Sequence, residues 1–112
     1  MTAITDEYMQ QMLTKTKEYC IILLKPLPGA DKNPDLKKLL WEHGRRNFSL
    51  RADGILSIVC PVTAETGVSG VGIFNASIDE TKKIMDGDPA VQAGIFVYEV
   101  HPCRSFPGDS LP

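Results

Sequence analysis

The stretch NPDLKKLLWEHGRRNFSLRADG, Asn33 to Gly54, reads as one long helix, and the remainder of the chain is arranged around it. Asn33 is a good N-cap, Pro34 suits the first helical position, Asp35 favours the positive end of the helix dipole, and Gly54 closes the far end. Within those limits Leu36, Leu39, Leu40, His43, Asn47 and Leu50 recur at three- and four-residue spacing and share one face. Lys37, Lys38, Glu42, Arg45 and Arg46 fall mostly on the side that meets water. An imidazole pointed at a core needs a polar partner, and the search for it organises the reading of everything else.

Around this helix the segments fall in a regular order. Thr5 can cap a short N-terminal helix through about Lys17, with Tyr8, Met9, Met12 and Leu13 as a narrow apolar stripe that docks on something. YCIILLK, Tyr19 to Lys25, has strand length and is stopped by Pro26, Pro28 and Gly29. Ile55–Cys60 and Val68–Asn75 form a predicted hairpin, its second strand carrying Gly70 and Gly72, which imply either a bend or close approach of another group. Ser77 caps a second helix, SIDETKKIMD; Asp88-Pro89 restarts a single helical turn; and Ile95–His101 is the last strand, followed by a tail rich in Pro and Gly.

Strand, helix, strand, strand, helix, strand is the α+β, ferredoxin-like βαββαβ order: an antiparallel sheet with both helices on one face. The divisions are an N-terminal helical extension, residues 1–18, a ferredoxin-like domain, residues 19–102, and an extended C-terminal tail, residues 103–112. In the first and last strands both faces are apolar. Helices can cover only one of them, so the pattern predicts a homodimer with sheets packed face to face.

Length and composition narrow the partners. A chain of 112 residues makes one domain with a single core. A net charge of −2 gives no electrostatic case for nucleic acid or an anionic membrane, and no apolar run approaches a membrane span. The N-terminus has neither the basic nor the apolar region of a signal peptide, so a cytoplasmic location is expected. The three cysteines form no CxxC pair and suit reduced thiols; the two distant histidines make a metal site improbable, and no cofactor is expected.

Asp88 is the natural partner for His43, because in this topology the loop before the last strand lies near the sheet-facing side of the first long helix. A carboxylate accepting the Nδ1 proton fixes the imidazole tautomer and makes Nε2 a better proton acceptor, a general base with its orienter. Two structural readings compete on the residues alone. Asp88 is also a good N-cap before Pro89, and His43 can be a half-buried histidine satisfied by a carbonyl.

The combination of YCIILLK, His43 followed by Gly54 and a strand, and GDPAVQAGIFVYEVHP resembles the YCII-related (YciI-like) family of dimeric α+β barrel proteins over Tyr19 to Pro102. The resemblance implies a His–Asp active site at His43 and Asp88, in a cleft lined by the sheet and the dimer partner. This chain departs from the family where it often shows an arginine three residues before the histidine and Gly-Pro after the second strand; here stand Leu40 and Cys60-Pro61. A cation for an anionic substrate would then come from Arg45, Arg46, Arg51 or Arg104, each otherwise a solvated surface residue. Secondary candidates for substrate contact are Cys60, Gly70, Gly72 and His101. For Cys60 an inert buried thiol is favoured, and for His101, sharing a face with Glu99, a structural role; for Gly70 and Gly72 a ligand over the sheet and strong twist are balanced.

Two functions follow. One is a small cofactor-independent enzyme in which the His–Asp dyad moves a proton on a small organic substrate, of lyase, isomerase or dehydrohalogenase type; the resemblance implies an aromatic-derived substrate. The other is a non-catalytic domain of the same fold that binds a small ligand or serves assembly.

Overall fold

A computed structural model describes all 112 residues. Ten residues from Lys17 to Pro26 form β1, where aliphatic side chains alternate between buried and half-buried. A 3-10 turn at Ala30–Lys32 leads into the long helix, which spans Leu36–Ala52. That helix starts later than its sequence suggests. Asn33 is extended and its Oδ1 accepts the Asp35 amide at 2.9 Å, so the capping side chain closes a turn before the helix rather than its first helical turn. The far end is as expected: Gly54 takes φ +75°, and the Ile55 amide reaches back to the Leu50 carbonyl at 3.0 Å.

Strands β2, Leu56–Pro61, and β3, Gly70–Phe74, pair as the hairpin, with a bulge between Leu56 and Ile58. Helix Ile78–Asp86 begins at Ser77, whose Oγ accepts the Glu80 amide at 3.1 Å. The single turn Pro89–Gln92 follows Asp88, and β4 runs Phe96–Ser105. In chain order the helices are α1, Asp6–Leu13, α2, Leu36–Ala52, α3, Ile78–Asp86, and α4, Pro89–Gln92. The four strands lie in the order β2-β3-β1-β4 with every neighbouring pair antiparallel, the ferredoxin-like α+β arrangement. No helix is long and apolar enough to cross a membrane.

Both ends of the chain depart from the sequence reading. Lys17 and Glu18 pair with Ser105 and Arg104, so β1 claims residues assigned to the N-terminal helix, and α1 ends at Leu13. For the same reason Cys103 to Ser105, read as tail, belong to β4. Helix α1 begins at Thr5 as expected, with the Thr5 hydroxyl accepting the Tyr8 amide at 3.2 Å, but none of its residues is buried and only Met12 is half-buried.

The core lies between the sheet and the helices: Cys20, Ile22, Leu24, Leu56, Phe74 and Met85 are buried together. Thr81, fully buried in α3, is tolerated because its hydroxyl donates to the Ser77 carbonyl at 2.8 Å. Helix α2 contributes no fully buried residue, and Leu40, counted above on its inward face, is exposed. Beneath the helix lies a cleft whose floor includes Gly70 and Gly72 of β3. On the opposite face Tyr19, Ile21 and Leu23 stand beside Val71, Ile73 and Ile58 by register, with no element of the protomer packed over them.

Candidate functional site

His43 is carried at mid-length on α2, rigid in a seventeen-residue helix, while Asp88 stands in the break between α3 and α4. The short path through Gly87 matters here for space. A Cβ at Gly87 would lie 2.9 Å from an Nη atom of Arg46, so a larger residue would push that guanidinium aside. Asp88 itself is 1% exposed and His43 15%.

One carboxylate serves two purposes. Asp88 Oδ1 accepts the amides of Ala90 and Val91 at 2.9 and 3.3 Å, capping α4, while Oδ2 lies 2.7 Å from His43 Nδ1. The structural reading of Asp88 as an N-cap and its pairing with His43 are therefore both present. Burial pushes the carboxyl pKa up, but the His43 hydrogen bond, the His43 charge and the Val91 and Ala90 amides outweigh it and hold it below the usual carboxylate value. Arg46 Nη1, 4.0 Å from the same Oδ2, adds a partly exposed positive charge nearby.

An ionised carboxylate only accepts, so Nδ1 carries a proton, and in the neutral ring Nε2 is then the nitrogen with the lone pair. Asn47, one turn along α2, places Nδ2 3.2 Å from Nε2 and completes the pattern by donating to it. Phe96 at the start of β4 packs against the ring, with centroids 5.4 Å apart and planes inclined at 53°. Asn47 was visible in the sequence only as a neighbour of His43 on one face. The i, i+4 spacing of an amide from an imidazole was the signal that could have marked it.

The ring edge opens onto a cleft of about 320 Å³. Its walls are chiefly aliphatic and aromatic, among them Ile22, Leu24, Leu56, Phe74 and Phe96, with His43, Asn47 and Ser69 as polar points, and no Lys, Arg, Asp or Glu lines it. Gly70 and Gly72 form part of the floor. A Cβ at Gly72 would stand 3.2 Å from Leu56 Cδ1 and 3.3 Å from Phe74 Cε2, so a side chain there would require both neighbours to shift.

The other sequence candidates separate. Cys60 is exposed at the cleft rim on β2, against the expectation of a buried thiol, because its register partner Val71 puts it on the uncovered side of the sheet; Cys20 is the buried cysteine. His101 lies opposite Ile21 on that same side, away from His43, and its Nε2 is 3.3 Å from Glu99 Oε2. Lys25 Nζ, 2.7 Å from Glu99 Oε1, completes an ionic group there; the Lys25 and His101 hydrogen bonds hold the Glu99 carboxyl below its usual range. Arg46 approaches Asp88, whereas Arg45 pairs with Glu42 along the helix at 3.3 Å; neither lines the cleft, nor do Arg51 and Arg104. Nearby, Tyr98 donates to Asp86 Oδ1 at 2.7 Å and ties β4 to the end of α3, its pKa pushed up to about 12 by burial and by that carboxylate. No group of three or more His, Cys, Asp or Glu is arranged to hold a metal.

Comparison with known proteins places the architecture. No family model matches the chain, and no curated protein matches it. Among solved structures the chain is similar to 5-chloro-2-hydroxyhydroquinone dehydrochlorinase (TftG) from Burkholderia phenoliruptrix AC1100, in complex with 2,5-dihydroxybenzoquinone, at 22% identity and a TM-score of 0.51, over 76% of this chain and 91% of that one. A dimeric ferredoxin-like protein from an uncultured marine organism is matched at 14% identity and a TM-score of 0.43, over 86% of this chain and 99% of that one. The likeness to the dehydrochlorinase is one of fold, and with the strand order it makes this chain an α+β protein of the ferredoxin-like type.

Proposed function

We propose that the protein is a small cofactor-independent enzyme of the YCII-related type in which His43 is a general base oriented by Asp88. The observation that carries this reading is the 2.7 Å contact between Nδ1 and a 1% exposed carboxylate, made by a ring whose other edge meets an apolar cleft. Nε2 accepts a proton from a substrate C–H or O–H, and Asp88 stabilises the imidazolium that forms. In an isomerase the proton returns to a different atom. In a dehydrohalogenase the electron pair left behind forms a new π bond as halide departs, so one base suffices. The dehydrochlorinase of similar fold, which acts on a chlorinated hydroxyhydroquinone, supports a small aromatic-derived substrate of this kind. The working unit is a homodimer that covers Tyr19, Ile21, Leu23 and Ile73 by packing sheet on sheet.

The experiment is turnover of a panel of hydroquinones and chlorinated hydroxyhydroquinones, followed by NMR for solvent deuterium uptake and by chloride release. His43→Asn and Asp88→Asn should each abolish whichever reaction the parent protein shows while the circular dichroism spectrum is retained. Unchanged rates in either variant contradict the assigned roles. The Asn47 amide at 3.2 Å from Nε2 favours a second reading, a binding site whose imidazole is already satisfied; saturable ligand binding without any turnover across the panel would select it.

A further inference from the structure

Helix α1 is a physical anomaly. It has eight residues, DEYMQQML, none of them buried. Isolated helices shorter than about 12–15 residues are marginal in water, and helices in proteins persist because an apolar face is packed. The Thr5 cap helps but does not replace that packing. Of its stripe, Tyr8, Met9 and Leu13 are at least 48% exposed and Met12 is half-buried; Ile4, just before the helix, is also exposed, and none of them belongs to the core.

Helix α2 carries the matching feature on its outer side. Trp41 and Phe48, seven residues and so about 10.5 Å apart along the axis, point away from the cleft and are 70% and 67% exposed. Lys37, Lys38 and Arg45 flank them at helical spacing. The eight residues of α1 span about 12 Å, which is the reach needed to cover both rings. Charge agrees with shape: α1 contains Asp6 and Glu7 and no basic residue, whereas α2 sets Lys37, Lys38, Arg45, Arg46 and Arg51 against Glu42 alone. The order along the two helices also corresponds, acidic pair then apolar stripe in α1, basic pair then aromatic rings in α2. Within one protomer α1 has no buried residue, and the chain measures 56 Å along its longest axis, more than twice its shortest extent of 22 Å.

We propose that α1 is an exchange arm, and that it docks on the Trp41–Phe48 face of α2 in a second copy of this chain. Asp6 and Glu7 meet Lys37 and Lys38, and Tyr8, Met9 and Leu13 cover the two rings. The exchange is reciprocal, so two equal contacts form about a two-fold axis. The arm then closes over the helix that carries His43 and Asn47, which has no fully buried residue of its own. This inference stands apart from the chemistry assigned to the cleft.

Trp41 is the only tryptophan, so its fluorescence reports the contact directly. In the full chain at micromolar concentration the account expects blue-shifted Trp41 emission and iodide quenching several-fold weaker than in the urea-unfolded protein. Met9→Ser with Leu13→Ser should restore the exposed signature while circular dichroism loses no more than the signal of the eight residues of α1, because neither residue belongs to the core. A Met9→Cys, Trp41→Cys pair should oxidise to a covalent dimer, and mixing the two single variants should yield a heterodimer. Three results would overturn the proposal: Trp41 fully quenchable at every concentration; protection that persists unchanged on dilution to monomer, which would put the arm on its own α2; and protection that Met9→Ser with Leu13→Ser leaves intact, which would make something else the cover.

Discussion

The two faces of the same strand set the terms of this protein. Along β1, Cys20, Ile22 and Leu24 are buried under the helices, whereas Tyr19, Ile21 and Leu23, equally apolar, are only half-buried. On the helix side the packing is incomplete: a cleft with one imidazole at its edge lies between α2 and the sheet, with Gly70 and Gly72 in its floor. On the other side the surface is flat and apolar, broken by the Lys25, Glu99 and His101 group. A gap in a packed face accommodates a small molecule, whereas an intact apolar face calls for a protein.

The largest effect expected from that contrast is on the uncovered face. Ile21→Glu would bury an unpaired carboxylate in each copy of the proposed dimer, at about 3–5 kcal/mol per charge, and light scattering should report a monomer where the parent protein is dimeric. A parent protein already monomeric at micromolar concentration would remove the sheet-to-sheet pairing. On the helix face the most damaging single change is Asp88→Ala, which removes the α4 cap and the ring's partner together. Urea unfolding should show a loss of about 2–4 kcal/mol, and a loss under about 0.5 kcal/mol would mean that neither contact matters to the fold.

The acid limb of stability follows from the same residue. The folded Asp88 carboxyl sits below its usual value, so its contribution is fully present above the ordinary carboxylate range and is lost as pH falls through that range toward the lower folded value. Asp88→Asn should flatten this limb relative to the parent, and parallel profiles would contradict the depressed pKa. Gly72→Val tests the cleft floor. With Leu56 Cδ1 and Phe74 Cε2 already 3.2 and 3.3 Å from a Cβ there, overpacking should cost about 1–3 kcal/mol and weaken ligand binding. Smallest of all is Asn47→Ala, expected below about 1 kcal/mol in stability, with its signature in the His43 ring resonances rather than in the melting curve.

Much of this was legible in residues whose local chemistry agrees with the fold. YCIILLK between charges and prolines could only be a strand, Ser77 and Gly54 end their helices as their side chains or lack of them dictate, and the strand–helix order leaves few topologies. Where pairing partners decide, the sequence was silent. Lys17, Glu18 and Cys103 to Ser105 have no strand propensity to speak of, and they are strand because each end completes the other's ladder. Asn33 misled because an Asx side chain can close a turn as well as cap a helix. Asp88 could be placed beside His43 from topology, but that its two oxygens divide the cap and the ring between them is a matter of distances. The exposure of Leu40 and Cys60 depends on where α2 stands and on the β2 register, neither of which periodicity encodes.

The central claim is that Nε2 of His43, which meets the Asn47 amide at the cleft edge, is the acceptor nitrogen of the neutral ring because Asp88 holds the proton on Nδ1. Nitrogen-15 NMR of the imidazole in its neutral form tests it most directly. The account predicts a protonated Nδ1 and an imine-type Nε2 in the parent protein, with that tautomer preference lost in Asp88→Asn. A ring protonated at Nε2 and bare at Nδ1 in the parent would contradict it.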